Sequence, residues 1–330
     1  MFVAIGNSIL EIQGMFMEYW LLLFSISCLS NMVGLNISST FNTAKVIYIF
    51  VPLVIIPQLL FSGVIVKFDK LHPSLSHATE VPIIGNIMPS RWAYEALIVE
   101  QTSQNKLSSI FLNFDILKSQ ATWKKDYWLP KLQNELNILT NSESTVTQKK
   151  IARELLTNEI KKEDLVWTDL KCESCIENLS FSTITEEDIR PINVFLSILR
   201  KQYIYTINTS IDSIRIRKEK MGIENYRKLR NEYTNEALEN ILTNKLELNK
   251  TITLNGELYQ NSDPIYNLPQ KHSFFTSHFY SPYKYIFGSR VSTFYGNLMV
   301  IWGMVFLGYF LLYFDVFKKL FSRLTSISLK

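Results

Sequence analysis

The chain has no Gly-x-x-x-x-Gly-Lys-Ser/Thr phosphate loop, no Gly-x-Gly-x-x-Gly fingerprint, no Gly-x-Ser-x-Gly elbow and no His-Glu-x-x-His pair. Each absence removes a chemistry. There is no backbone cradle for a nucleoside triphosphate, no dinucleotide turn, no serine elbow and no helical zinc-protease site. Cysteine is scarce, with only Cys28, Cys172 and Cys175. The last two form a Cys-x-x-Cys pair, and the four histidines (His72, His77, His272 and His278) lie far from it in sequence. A tetrahedral zinc site therefore has no ready set of ligands. The formal charge is +4, with no dense basic run. That leaves no electrostatic footprint for a phosphate backbone, so nucleic acid is not a partner. No pair of polar residues has a convincing catalytic spacing, so the chain is not read as an enzyme in its own right. No catalytic, cofactor-binding or metal-binding residue is assigned.

What the chain has instead is segregation. Its residues are 47% hydrophobic, yet mean hydropathy is only +0.06, because the apolar residues gather at the two ends. Three uncharged stretches stand out: Tyr19 to Ile37, Val46 to Val66, and Phe294 to Phe314. Each has about the 20 residues an α-helix needs to cross a hydrocarbon core. Tyr19, Trp20, Tyr295, Trp302, Tyr309 and Tyr313 lie in or beside these runs; such residues favour the headgroup level or pack between helices. Met1 to Ile5 read as the tail of a fourth apolar segment, so the sequence is expected to be the later part of a longer one. A signal peptide fits poorly, because no basic region precedes them and Glu11 and Glu18 follow.

Short basic flanks set the orientation. Lys318, Lys319, Arg323 and Lys330 follow the third run against a single acid, Asp315, and Lys45 alone lies between the first two. Both flanks are expected in the cytoplasm. The long middle, from about Lys67 to Arg290, is then outside.

The second run carries Pro52 and Pro57, then Gln58, Ser62 and Gly63. Each proline removes a backbone donor and kinks a helix. A pathway-lining helix and a static packing kink both fit. The first run holds Asn31, Gly34 and several serines, which suit close helix packing. No run contains a charged residue, which argues against a proton-driven pump. After the second run comes Met88-Pro89-Ser90-Arg91-Trp92-Ala93-Tyr94-Glu95-Ala96-Leu97. Pro89 suits a first helical turn. Arg91, Trp92, Tyr94 and Glu95 give the segment an amphipathic, interfacial character.

A Phe-Ser-Gly-aliphatic-aliphatic end (Phe61 to Ile65), followed by Pro-x-Arg-aromatic (Pro89 to Trp92) and Ala96-Leu97, resembles the membrane domain of ABCG/White-type transporters of the type-2 ABC exporter superfamily. The resemblance covers about residues 19 to 101. It implies that the three runs correspond to the fourth, fifth and sixth spans of a permease, of which this chain is the C-terminal half. It places Val64 and Ile65 at an apolar gate, and Gln58 and Phe61 along the substrate path between the kinks and that gate. Pro89, Arg91, Trp92 and Glu95 fall in a re-entrant element. It also implies a partner ABC ATPase domain carrying ATP and Mg, fused or separate, and a second permease copy. The chain departs from the family in its long external segment and in lacking the earlier spans.

In that external segment Glu135 to Asp164, Glu186 to Lys220 and Asn225 to Leu248 read as helices. Ile189, Val194, Leu196, Ile198, Leu199, Ile204, Ile207 and Ile211 are the core candidates. Thr253 to Leu258 reads as a hairpin around Asn255-Gly256. The aromatic run Phe274 to Phe287 is expected to pack at the interface. Cys172 and Cys175 could be bonded there, since a disulfide is permitted outside the cytoplasm; a free pair is the alternative, and a redox site would need a strand before a helix start.

The expected fold is thus mainly α: a helical integral membrane protein with three complete transmembrane helices, a re-entrant or interfacial helix and a large, mostly helical external domain. Residues 1–66 form part of a permease core, 67–104 the re-entrant element, 105–290 the external (periplasmic) insertion, and 291–330 the last span and basic cytoplasmic tail. The expected function is the permease part of an exporter moving an amphipathic or lipid-like substrate across the cell membrane, in contact with membrane lipids. A membrane-anchored scaffold, or an ABC component that transmits force to a docked partner, is the alternative.

Overall fold

The structure is a computed structural model. It describes residues 1–41, 43–65, 68, 81–167, 170–181, 184–244, 246–262, 264, 266, 279 and 281–328, the last six of these in backbone only. The four histidines, the end of the second apolar run at Val66, and most of the stretch from Phe274 to Tyr280 lie outside the described residues.

Helices dominate. In chain order they are α1 (Phe2–Ile9), α2 (Phe16–Thr40), α3 (Ala44–Leu60), α4 (Ile83–Ile87), α5 (Pro89–Val99), α6 (Ser108–Trp123), α7 (Leu129–Thr140), α8 (Val146–Val166), α9 (Glu173–Ser180), α10 (Glu186–Met221), α11 (Ile223–Tyr233) and α12 (Glu236–Thr243). Two antiparallel hairpins follow, β1 (Thr251–Leu254) with β2 (Glu257–Gln260) and β3 (Tyr283–Ile286) with β4 (Ser289–Ser292). The chain ends in α13 (Thr293–Tyr313) and α14 (Val316–Ser328), and π-helical turns extend α5 and α6. The chain divides into two compact units, one of residues 1–109, 229–235 and 267–330 and the other of 110–228 and 236–266.

The first unit holds the apolar helices. α2 has 25 residues and α13 has 21, and both are long and apolar enough to cross a membrane. At 1.5 Å per residue they measure about 37 and 31 Å, against about 30 Å of hydrocarbon. The second apolar run behaves differently. Its helix, α3, stops at Leu60 after 17 residues, about 25 Å long. The reason is local: Phe61 and Ser62 leave the helix and Gly63 turns the backbone into the left-handed region at φ +82°, where glycine alone has no steric penalty.

α2 and α13 pack along their length in the same direction. Trp302 Nε1 donates to Ser25 Oγ at 3.1 Å near their middles, and Asn36 Nδ2 donates to the Gly308 carbonyl at 2.9 Å nearer their ends. A Cβ at Gly308 would sit 3.4 Å from Met32 Cβ, at ordinary van der Waals contact. The two C-termini therefore share one side of the unit. Small and polar residues do make this contact, among them Ser25, one of the expected serines, but not Asn31 or Gly34. Asn31 is exposed and Gly34 faces open space. Leu22, Ser25, Leu29 and Asn36 form the buried face, and Asn31 and Gly34 fall off it in helical phase.

The second unit has its own core, in which Trp128, Leu129, Leu132 and Leu136 of the α6–α7 region meet Leu155, Leu156 and Ile160 of α8 and Ile192, Leu196 and Leu199 of α10. The expected helix from Glu135 to Asp164 is two helices. Asn141 accepts from the Glu143 amide at 2.9 Å, and Thr145 and Gln148 form a capping box that starts α8, which is how such side chains compete with a continuing helix. Asn225 to Leu248 is likewise divided, into α11 and α12.

Among the core candidates, Ile189, Leu196 and Leu199 are buried and Ile207 packs at the edge. Val194, Ile198, Ile204 and Ile211 are exposed. α10 buries Ile192, Phe195, Leu196, Leu199 and Tyr203 instead, a stripe spaced by three and four residues. The Asn255-Gly256 turn is as expected: Leu254 pairs with Glu257, and both turn residues have positive φ (51° and 71°), the two-residue arrangement that matches strand twist. Glu159 pins this hairpin to α8, accepting from the Leu258 amide at 2.9 Å and from Trp128 Nε1 at 2.6 Å. A disulfide joins Cys172 and Cys175 at the start of α9, and Cys175 is buried against the core.

The register of α10 is open to a direct check. Leu199→Ala is expected to cost about 2–5 kcal/mol as a buried truncation, and Val194→Ala no more than about 0.5 kcal/mol. Thermal unfolding of the full chain in detergent, followed by near-ultraviolet circular dichroism, reads both. Equal losses would contradict the stripe.

Candidate functional site

The Pro-rich helix α3 and the short helix α5 meet at one place. Pro52 and Pro57 both lie inside α3 without ending it. Helices end with four carbonyls lacking partners, and at the end of α3 three of them are answered in turn. The Phe61 amide donates to the Pro57 carbonyl at 2.9 Å, the Ser62 hydroxyl to that of Leu59 at 2.9 Å, and the Ser90 hydroxyl to that of Gln58 at 2.6 Å. Ser90 comes from the first turn of α5, where Pro89 holds the first helical position. The end of this proline-bearing helix is thus fastened to α5. Beyond it, the Val64 amide donates to Ser62 Oγ at 3.2 Å, and the side chains of Val64 and Ile65 are exposed. A Cβ on Gly63 would lie 2.9 Å from the Phe68 ring. Gln58 and Phe61 are half-buried.

α5 was expected to present Arg91, Trp92 and Glu95 to an interface, but all three are 0% exposed. Residues 91, 92, 95, 96 and 99 share one helical face, and that face packs on α2 and α13 through Trp92, Ala96, Leu22, Phe294 and Ile301. Two distant residues complete the site. Lys284, from β3, places Nζ 2.9 Å from Glu95 Oε2, and Asn297, from the first turns of α13, donates to the same oxygen at 2.6 Å. Arg91 Nη1 is 3.2 Å from it. Asn297 Nδ2 also reaches the Trp92 carbonyl at 3.0 Å, and Trp92 Nε1 donates to the Asn86 carbonyl at 2.8 Å. The centre of the Trp92 ring is 4.0 Å from Arg91 Cζ and 4.5 Å from Lys284 Nζ, close enough for each cation to gain from the ring. Thr293 Oγ1 donates to the Ser281 carbonyl at 2.6 Å, which ties the start of α13 to the residues that lead into β3.

The cluster carries two positive groups and one negative one. Burial drives Lys284 down to about 8, against the pull of Glu95 in the other direction. Among the described residues, no aligned hydrogen-bond partner falls to the Arg91 nitrogens, Glu95 Oε1 or Asn297 Oδ1. Groups so enclosed are costly to separate, because each would be left as an unanswered buried charge. Chemically the arrangement has no nucleophile paired with a base. It is a brace, joining α5 to β3 and α13. Among the described residues no group of three or more His, Cys, Asp or Glu side chains is placed to hold a metal.

Of the residues singled out from the sequence, Arg91, Trp92 and Glu95 come together in this brace, and Pro57, Gln58, Phe61 and Pro89 meet at the junction of α3 with α5. Val64 and Ile65 contribute to neither. Cys172 and Cys175 belong to the other unit. Lys284 and Asn297 escaped notice. Asn297 had a signal, as a lone amide early in an apolar run; Lys284, inside an aromatic stretch, had none.

Residues 1–101 match the family model described as ABC-2 type transporter. The match takes in α1 to α5, including the junction and the part of the brace on α5. With the long apolar helices α2 and α13 it supports a membrane protein and a permease component of an ABC transporter, which serves transport without being catalytic itself. No curated protein and no solved structure matches the chain.

Removing the carboxylate of the brace strands two buried cations. Glu95→Ala is expected to destabilise the protein by about 3–5 kcal/mol. Pairing it with Lys284→Met should recover part of that loss, since the second change removes one stranded charge. A double variant less stable than Glu95→Ala alone, in detergent melting curves, would contradict the brace. The pH dependence has a definite sign. With Lys284 held near 8 in the folded protein and near 10.4 unfolded, the unfolded chain binds more protons between those values. Stability from this group therefore rises with pH across that window. From pH 7.5 to 9.5, to about those values, wild type should gain relative to Lys284→Met.

Proposed function

We propose that this chain is the C-terminal half of the membrane domain of an ATP-driven exporter of the ABCG/White-like kind, working with an ABC ATPase domain and a second permease copy. The observation that carries the reading is the ABC-2 match over residues 1–101, which spans the proline-bearing apolar helix α3, ending at Leu60 and fastened to α5. In this reading α2, α3 and α13 are the three spans. α3 and its extension to Ile65 complete the crossing that 17 helical residues leave short. The parallel run of α2 and α13 supports the topology, since it puts Lys45, Lys318 and Lys319 on one side, and short basic flanks stay in the cytoplasm. Residues from about 67 to 290 are then outside, where the Cys172–Cys175 disulfide is chemically stable.

α3 is the moving part. Its two prolines leave the Tyr48 and Leu53 carbonyls without their helical donors, which lowers the resistance of the helix to bending there. Gln58 and Phe61 line the path, and Val64 and Ile65 form an apolar constriction that an amphipathic or lipid-like substrate passes on leaving. α5, with Pro89, Arg91, Trp92 and Glu95, is the re-entrant element, and its buried ion cluster is tolerable there because protein rather than lipid surrounds it. Closure of the ATPase domains swings α3 against this fixed brace.

A second reading has its own support. Residues 110–228 and 236–266 form a unit with an independent core, which suits a component that transmits force to an external partner. Transport separates the two. Gly63→Ala places a Cβ against Phe68 at a left-handed backbone, a strain of about 1–2 kcal/mol. In vesicles holding the complete complex, it is expected to reduce ATP-dependent movement of a fluorescent lipid analogue severalfold. ATP hydrolysis without any such movement in the wild-type complex would favour the force-transmitting reading.

A further inference from the structure

α13 does not run on into α14. Its last turn closes with the Phe314 amide on the Phe310 carbonyl at 3.0 Å, and Asp315 then takes a left-handed conformation at φ +52°, the way a helix axis is commonly broken. α14 starts at Val316, and Lys319 Nζ donates back to the Phe314 carbonyl at 2.8 Å. Six residues past the turn, about 9 Å along a helix, Phe321 meets the aromatic pair that closes the other helix ends. Its ring centroid is 5.1 Å from that of Phe41, just beyond α2, and 5.9 Å from that of Phe50 in α3, and these two rings are 4.4 Å apart. α14 therefore stays at the level where α2 and α13 end, and lies across those ends instead of extending one of them.

Its sequence divides cleanly on a helix of 100° per residue. Val316, Phe317, Leu320, Phe321 and Leu324 fall within an arc of about 140°. Lys318, Lys319, Ser322 and Arg323 occupy the other side. Phe317 and Leu320 are exposed on the apolar arc, and Lys318 and Lys319 on the polar one. α14 has three basic residues and no acid, and Asp315, the nearest acid, is the turn residue itself. A helix with one apolar and one basic face fits a single kind of surface, apolar below and negatively charged above.

We propose that α14 is an interfacial helix that docks on an anionic phospholipid surface, on the face of the bilayer where α2 and α13 end. Phe317 and Leu320 enter the acyl boundary beside Phe321, and Lys318 and Lys319 meet the headgroup phosphates. The docking ties the end of α13, and through Phe321 the link between α2 and α3, to the lipid composition of that leaflet. This rests on the reading that α2 and α13 cross a bilayer.

Spin labels on single cysteines test it in the full chain, in a Cys28→Ser background with the Cys172–Cys175 disulfide intact. The labels sit at Leu307→Cys, Leu320→Cys and Ser322→Cys. The chain is placed in nanodiscs of phosphatidylcholine with or without phosphatidylglycerol. Collision with oxygen reports lipid, and collision with a water-soluble nickel chelate reports solvent. With phosphatidylglycerol present, position 320 is expected to meet oxygen and be shielded from nickel, and position 322 the reverse. Lys318→Gln/Lys319→Gln should weaken docking about fivefold per residue and open position 320 to nickel, while Lys318→Arg/Lys319→Arg should not. Position 320 as open to nickel as position 322 would overturn the proposal. So would shielding from both reagents, which means a protein partner or second copy covers the face, or indifference to both phosphatidylglycerol and the glutamine pair. Position 307, an exposed residue of α13, separates the two failures. Oxygen contact there with no docking at 320 sinks only this inference; no oxygen contact at 307 removes the membrane reading and this proposal with it.

Discussion

One carboxylate oxygen, Glu95 Oε2, is approached by Lys284 at 2.9 Å, by Asn297 at 2.6 Å and by Arg91 at 3.2 Å, with no exposed surface on Glu95, Lys284, Arg91 or Asn297. These four residues come from three elements, with Asn297 lying 202 positions beyond Glu95 in sequence. The charges are tolerable only together, because low local dielectric strengthens each attraction and makes each loss expensive. The position of α5 against α13 follows from that constraint, and so does the placement of the β3–β4 hairpin that leads into α13. Ser90, one residue before Arg91, then holds the end of α3 at Gln58. A proline-bearing helix with no fully buried residue of its own is in this way fastened at one end to the helix that carries the buried ion cluster.

That contrast of a fixed α5 and a loosely held α3 connects structure with transport. α3 buries none of its residues fully, and its kinks lie before the fastening point. In the proposed reading, bending at Pro52 and Pro57 shifts the half of the helix that precedes them, while the end near Gly63 stays fastened to α5. α2 and α13, joined by Ser25–Trp302 and Asn36–Gly308, form the static pair beside it. In the second unit Glu159 serves Trp128, Lys162 and the Leu258 amide, and Glu163 serves Tyr203 and Lys124.

Much of this was legible in the sequence where the signal is local. Long uncharged runs become α2 and α13, Asn255-Gly256 becomes a tight hairpin turn, and Pro89 starts α5. Where a partner is distant, sequence reading put residues in the wrong surroundings. Arg91, Trp92 and Glu95 look interfacial by type, and only Lys284 and Asn297 make their burial affordable. The β3–β4 hairpin was hidden because its turn, Phe287-Gly288, sits in an aromatic run that reads as membrane-facing, although both residues have positive φ (48° and 79°). Val194 and Ile198 passed for core because α10 is apolar on more than one side, and which side is buried depends on where α7 and α8 pack. The length of α3 was overestimated since an apolar run does not stop at Gly63, whereas the helix stops before it. Composition and spacing carry no information on substrate, and the brace, being enclosed, adds none.

The most direct test of the permease assignment is to isolate the protein from its native membranes by a C-terminal tag, in mild detergent, and measure polypeptide mass together with ATP hydrolysis. The account predicts a larger polypeptide that contains an ATPase domain, or this chain with a co-purifying ATPase subunit, and in either case ATP hydrolysis. A lone chain of about 38.4 kDa that brings no ATPase and hydrolyses no ATP in several mild detergents would contradict it.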